Sequence, residues 1–143
     1  MNGAGIQALV AVGTLTSAAA VAHLACIVIG GRAYRFMGAG ERMARAADAG
    51  KRMPTLVTLA ISAVLLAWAV YAFSAAGVIG PLPFTGLVLP AACAACLARA
   101  VGFPVLRKRL PENSAAFWRW SSGICFVLGL LYALGTLHVW AGR

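Results

Sequence analysis

At 143 residues the chain has the length of one domain, yet 62% of it is apolar and only 10% is charged. Soluble domains carry about 25% charged residues, so this composition excludes an ordinary soluble fold and calls for lipid as the solvent. A net charge of +9 would suggest nucleic acid on a soluble protein; set beside apolar runs it points to anionic membrane lipids, at about 1 kcal/mol per basic residue near the surface, and no nucleic-acid partner is expected.

The opening MNGAG carries no base. A cleaved secretory signal needs a positive start, so residues 6–29 read as a retained transmembrane helix. That run covers about 30 Å of hydrocarbon and meets a helix stop at Gly30-Gly31. Residues 31–54, GRAYRFMGAGERMARAADAGKRMP, then hold Arg32, Arg35, Arg42, Arg45, Lys51 and Arg52, half of the chain's twelve Lys and Arg. Such a segment stays cytoplasmic and fixes the direction of the helices around it. Tyr34 and Phe36 are expected at headgroup depth. ERMARAADA is expected as a short interfacial helix with Met43 and its alanines against lipid. Glu41 and Asp48 stand four residues before Arg45 and Arg52, the spacing of local ion pairs.

Pro54 suits the first turn of a second span, 55–76. The uncharged turn GVIGPLP makes the second and third spans antiparallel neighbours. The third span, 84–103, should kink at Pro90 and end at Pro104. A second basic loop, with Arg107, Lys108 and Arg109, leads to Asn113 and Ser114, either of which can cap the last helix. That helix, 116–141, enters past Trp118 and Trp120 and leaves near Trp140, marking both interfaces. Two basic loops on one side and a bare turn on the other place both termini outside, with Arg143 the one basic residue there. The expected fold class is all-α: a four-helix transmembrane bundle, multi-pass in the cell inner membrane.

Depth decides which side chains can meet. At about 1.5 Å per residue, His23 lies about 7 Å to the cytoplasmic side of the midplane and His138 about 12 Å to the external side. Some 20 Å therefore separates them along the normal, roughly speaking, too far for one haem or one metal. The i,i+3 pairs His23/Cys26 and Cys93/Cys96 offer a Cu(I)-type set only if their faces oppose; no metal and no cofactor is expected. The four cysteines sit in apolar runs and read as reduced, packed thiols.

A different set converges in the inner half of the bilayer: His23, Cys26, Cys96, Arg99, Ser121, Ser122 and Cys125. Thr16, Ala20, His23 and Cys26 share a face of the first span, Thr55, Thr58 and Ser62 of the second, and Ser121, Cys125, Gly129, Tyr132 and Thr136 of the fourth. Small and hydroxyl residues at such spacing let helices approach closely, and a cytoplasm-facing polar pocket is expected where the faces meet. Arg99 is read as snorkelling toward headgroups in preference to clamping an anion. No acid lies in any span, so a proton-coupled exporter lacks its carboxylate, and no Ser-His-Asp set or paired carboxylate is present.

The runs GAGERMARAADAGKRMPTLVT, YAFSAAGVIGPLP, LARAVGFP and FWRWSSGIC resemble those of a group of uncharacterised small four-helix bacterial inner-membrane proteins. The resemblance implies the four-helix layout and brings no activity or site residues. Arg32-Ala33-Tyr34 lacks the His and Asn of the Arg-Ala-His-x-Asn pattern of four-span glutathione-transferase-type membrane enzymes. The leading expectation is a non-enzymatic protein whose basic loops hold anionic lipid headgroups on the cytoplasmic face and which binds a lipid, a small apolar ligand or a partner membrane protein in the cytoplasmic leaflet, as a homo-oligomer or with that partner. A small oligomeric channel or transporter is the alternative. A membrane enzyme using His23 as base or Cys125 as nucleophile is the third.

Overall fold

The computed structural model describes residues 3–142. Met1, Asn2 and Arg143, on which parts of the signal and topology expectations fall, lie outside the described residues. Within them the chain forms seven helices and no strand: α1 (Gly3–Ile29), α2 (Gly31–Phe36), α3 (Glu41–Asp48), α4 (Arg52–Ala75), α5 (Thr85–Val101), α6 (Phe103–Arg109) and α7 (Ala115–Ala141). α1, α4 and α7 are each long and apolar enough to cross a membrane; α5 and α6, bent by 62° across their break, make a fourth candidate when taken as one broken span. The protein is thus all-helical with three to four candidate membrane-spanning helices. Side chains such as Val21, Leu56, Val70, Ile124 and Leu137 point outward and stay exposed, as expected of helices that satisfy their own backbone and leave their flanks to lipid.

α1 packs along α4 and α7, and α5 packs along α7. The short turn between α4 and α5 does not make them principal partners: they share a smaller seam, while each finds its main contact elsewhere. The reason lies in the small residues. A Cβ on Gly135 would overlap Leu9, one on Gly129 would overlap Leu97, and one on Gly13 would press on the Phe73 ring. Without water to drive association, such close backbone approach supplies the packing energy. Thr16 and Tyr132, both buried, join across the α1–α7 seam at 3.0 Å, and the Thr136 hydroxyl donates to the Tyr132 carbonyl at 2.8 Å. Leu9, Val12, Leu89, Leu128 and Tyr132 form the centre of the core.

Local chemistry explains where the elements differ from expectation. The helix of the third span runs unbroken through Pro90 and ends at Gly102, where a Cβ would meet the Ala98 carbonyl; Pro104 then sits in the first turn of α6. The basic stretch Arg107, Lys108, Arg109 is the last turn of that helix and not a loop. Basic residues at a helix C-terminus complement its dipole. α2 is a second helix that the Gly30-Gly31 stop concealed. Gly30, at φ 88°, breaks α1 and the chain restarts at once. Ser114 caps α7, its hydroxyl accepting from the Phe117 amide at 3.1 Å.

Candidate functional site

The two basic segments meet at one end of the helices. In the first, Asp48 accepts from the Gly31 amide at 3.1 Å, filling the role of a carboxylate at the start of α2. Arg35 grips Glu41 with two bonds of 2.9 and 3.0 Å and reaches Asp48 at 3.1 Å, while Arg45 donates to Glu41 at 3.1 Å. These guanidiniums, Arg35 first, hold the Glu41 carboxyl at about 2, below its ordinary 4.5, and the Glu41 bond in turn raises Arg35. Asp48 therefore pairs with Arg35 where spacing favoured Arg52, and Arg35 and Arg45 are engaged within the protein.

Beneath this layer, Tyr34 is buried within the protein. Thr58 donates to the Pro54 carbonyl at 2.7 Å, so the Tyr34 hydroxyl donates to Thr58, at 2.9 Å. Ala44 is fully buried and packs with Cys26 and Tyr34. The alanine face of α3 thus lies on the protein, correcting the expectation that it faces lipid; alanine is small enough to seat the helix against α2 and α4.

The second segment clasps the first. Asn113 donates to the Gly38 carbonyl at 3.0 Å, and Glu112 accepts from the Glu41 amide at 2.7 Å. Gly38, at φ +72°, faces the Phe117 ring so closely that a Cβ would overlap it.

The seven residues expected to share one inner-half pocket do not form a single group. His23 is half-buried with Nδ1 on the Ala19 carbonyl at 2.7 Å. Cys26 belongs to the Tyr34–Ala44 cluster. Cys96 is in the main core, so the first-helix pair and the third-helix pair lie in separate clusters. Among the described residues no three His, Cys, Asp or Glu side chains are placed to hold a metal ion. Arg99, Ser121 and Ser122 do come together, with Cys125 one turn further along α7.

Arg99 turns inward at this corner. Its Nη2 donates to Ser121 at 2.5 Å, and its guanidinium carbon stands 5.4 Å from the centre of the Trp118 ring, within cation–π reach. Three buried polar atoms here have no hydrogen-bond partner: Arg99 Nη1, Trp118 Nε1 and Ser122 Oγ. They are the complete set of such side-chain atoms among the described residues. An unpaired buried donor costs about 1–3 kcal/mol, and the other buried polar side chains, Thr16, Thr58, Ser62, Ser74 and Thr136, all have partners. Trp118 and Ser122 line a cavity of about 230 Å³ between α6 and α7, with Phe103, Arg107, Ala115 and Arg119. Arg119 also borders an open apolar groove of about 680 Å³ between α1 and α7, lined by Leu15, Ala19, Trp120, Gly123, Ile124, Val127 and Leu128.

Trp118 is the member that interface reasoning passed over, because a tryptophan at a span's end reads as a headgroup marker. Its spacing to Ser121, Ser122 and Cys125, at i+3, i+4 and i+7, was the available signal. Chemically the corner offers donors and positive charge. The fold and this corner describe a helical protein of membrane-spanning composition with a cationic, donor-lined recess. No protein-family model, curated protein or solved structure matches the chain.

Proposed function

We propose that the chain is a multi-pass inner-membrane protein: a four-helix transmembrane bundle whose third span is the bent α5–α6 pair, with both termini external and both basic segments in the cytoplasm. It acts without catalysis, binding lipid in the cytoplasmic leaflet, and its outer apolar faces associate with further copies or a partner membrane protein.

The observation that carries this reading is the joining of the two basic segments by the Asn113–Gly38 and Glu112–Glu41 hydrogen bonds. That joint collects the exposed Arg32, Arg42, Lys51, Arg52, Arg107, Lys108 and Arg109 at one end, while the α4–α5 turn at the opposite end carries no charge. Positive residues retained on the cytoplasmic side and drawn to anionic headgroups follow from that asymmetry. The polar residues of the outer half, Thr16, Tyr132 and Thr136, bond one another inside the core, which favours a binding protein over a path for ions.

Two measurements test it. In cells expressing cysteine-free variants, a membrane-impermeant maleimide labels Gly80→Cys directly and Lys51→Cys only after permeabilisation; the reverse pattern refutes the orientation. Native mass spectrometry in mild detergent then shows an assembly that retains anionic lipid, and a bare monomer refutes the binding role.

A further inference from the structure

Arg99 is a cation in a helix flank with no carboxylate partner among the described residues. The chain has three acids. Glu41 and Asp48 pair with Arg35 and Arg45, and Glu112 accepts from the Glu41 amide. A charge held in a low-dielectric setting is paired or hydrogen-bonded in full, or it is costly. Here Arg99 has one hydrogen-bond partner, the Ser121 hydroxyl, and its Nη1 has none. Trp118 is 3% exposed, its indole Nε1 can only donate, and it has no partner; Ser122 Oγ is unpartnered beside it. The guanidiniums of Arg107 and Arg119 border the same cavity. The missing component is an anion with several acceptor oxygens, supplied from outside the chain.

We propose that the α6–α7 cavity binds the phosphate of an anionic phospholipid, with Trp118 Nε1 and Ser122 Oγ donating to its oxygens, Arg107 and Arg119 at its rim, and the Arg99 charge behind the indole. The proposal rests on the lipid-binding reading above and gives it a site and a headgroup chemistry. A phosphate, with more acceptor oxygens than a carboxylate, matches this many donors. The lipid source follows from Arg119, which borders both the α6–α7 cavity and the apolar α1–α7 groove, so a single amphiphile can place its phosphate in one and an acyl chain against Ile124 and Val127 in the other.

The test is native mass spectrometry of the full chain in detergent, titrated with phosphatidylglycerol, phosphatidylcholine and inorganic phosphate. Wild-type protein holds one phosphatidylglycerol about tenfold more tightly than phosphatidylcholine. Ser122→Ala, conservative in volume, and Trp118→Phe, which keeps an aromatic ring while removing Nε1, each reduce that preference about threefold to tenfold, and Arg99→Gln removes it. Thr14→Ala, at an exposed hydroxyl on α1 that donates to the Val10 carbonyl and lines neither the cavity nor the groove, leaves it in place. A preference that survives Ser122→Ala and Trp118→Phe but falls with Lys51→Gln and Arg52→Gln overturns this site while sparing the general lipid-binding reading. Equal affinity for the two lipids overturns both. Inorganic phosphate competing at the same concentration as the lipid overturns the lipid assignment in favour of a soluble anion.

Discussion

The two basic segments look alike in sequence and differ in how their charges are met. In α2 and α3 every acid is bound to a guanidinium or a helix-start amide, Tyr34 has Thr58, and the buried face is closed by Ala44. At the α6–α7 corner, Arg99 and the rim arginines meet no carboxylate among the described residues, and three buried donors lack partners. The first region is an ion-paired brace: its two acids are taken up by Arg35, Arg45 and a helix-start amide, while Arg32, Arg42, Lys51 and Arg52 stay exposed. The second presents the same kind of charge in an unneutralised form. Counting cations therefore says little about where an anion binds; the distribution of the few acids says more.

The brace and the corner touch at Gly38, and that contact gives the largest expected effect. Gly38→Ala places a Cβ at positive φ and within the Phe117 ring, whose neighbour Trp118 it stacks edge-on at 5.3 Å. The left-handed conformation costs about 1 kcal/mol and overpacking about 1–3 kcal/mol more, so thermal unfolding in detergent should register a loss of roughly 2–4 kcal/mol. Gly50→Ala is the control. Gly50 has φ +69° and open space around it, and only the conformational part, about 1 kcal/mol, is expected. Equal losses at the two glycines would show that Phe117 yields and that the two regions are not rigidly joined.

A matched pair of hydroxyl deletions sharpens the contrast. Tyr34→Phe removes a donor from a buried bond and is expected to cost about 1 kcal/mol. Ser122→Ala removes a buried hydroxyl without a partner, so in lipid-free detergent it should leave stability within about 0.5 kcal/mol or raise it. A loss at Ser122 as large as that at Tyr34 would mean that Ser122 is satisfied within the protein.

Much of this was legible from the sequence. Span lengths, the α3 helix between Gly40 and Gly50, the Ser114 cap and the small-residue faces all follow from local period and composition, which act over a few residues. The Thr16–Tyr132 bond joins two faces that helical spacing alone picks out. What stayed hidden depends on which helices meet. The loop between α4 and α5 suggested a pairing that Gly13, Gly129 and Gly135 redirect to α1 and α7. Asp48 chose Arg35 because α2, concealed behind two glycines, folds back over α3. His23 and Arg99 shared a depth, but depth is one coordinate, and the azimuth around each helix set them in different clusters.

The smallest expected effect concerns acid. Glu41 has a folded carboxyl near 2 against an ordinary 4.5, through its bonds to Arg35 and then Arg45. A carboxyl that is more acidic when folded stabilises the folded form above about pH 4.5, and that contribution disappears as the pH falls toward 2. The side chains involved are open to solvent, where such pairs contribute weakly and are screened by salt. Between pH 5 and 3, hydrogen exchange in residues 31–49, corrected for its intrinsic pH dependence, should quicken modestly, and added salt should shrink the change. Arg35→Gln should flatten the profile by removing the principal partner of Glu41. Acceleration of equal size at residues 103–110, where Arg107, Lys108 and Arg109 have no acid partner among the described residues, would show that the acid response belongs to the whole fold and that the brace is not a separate ion-paired unit.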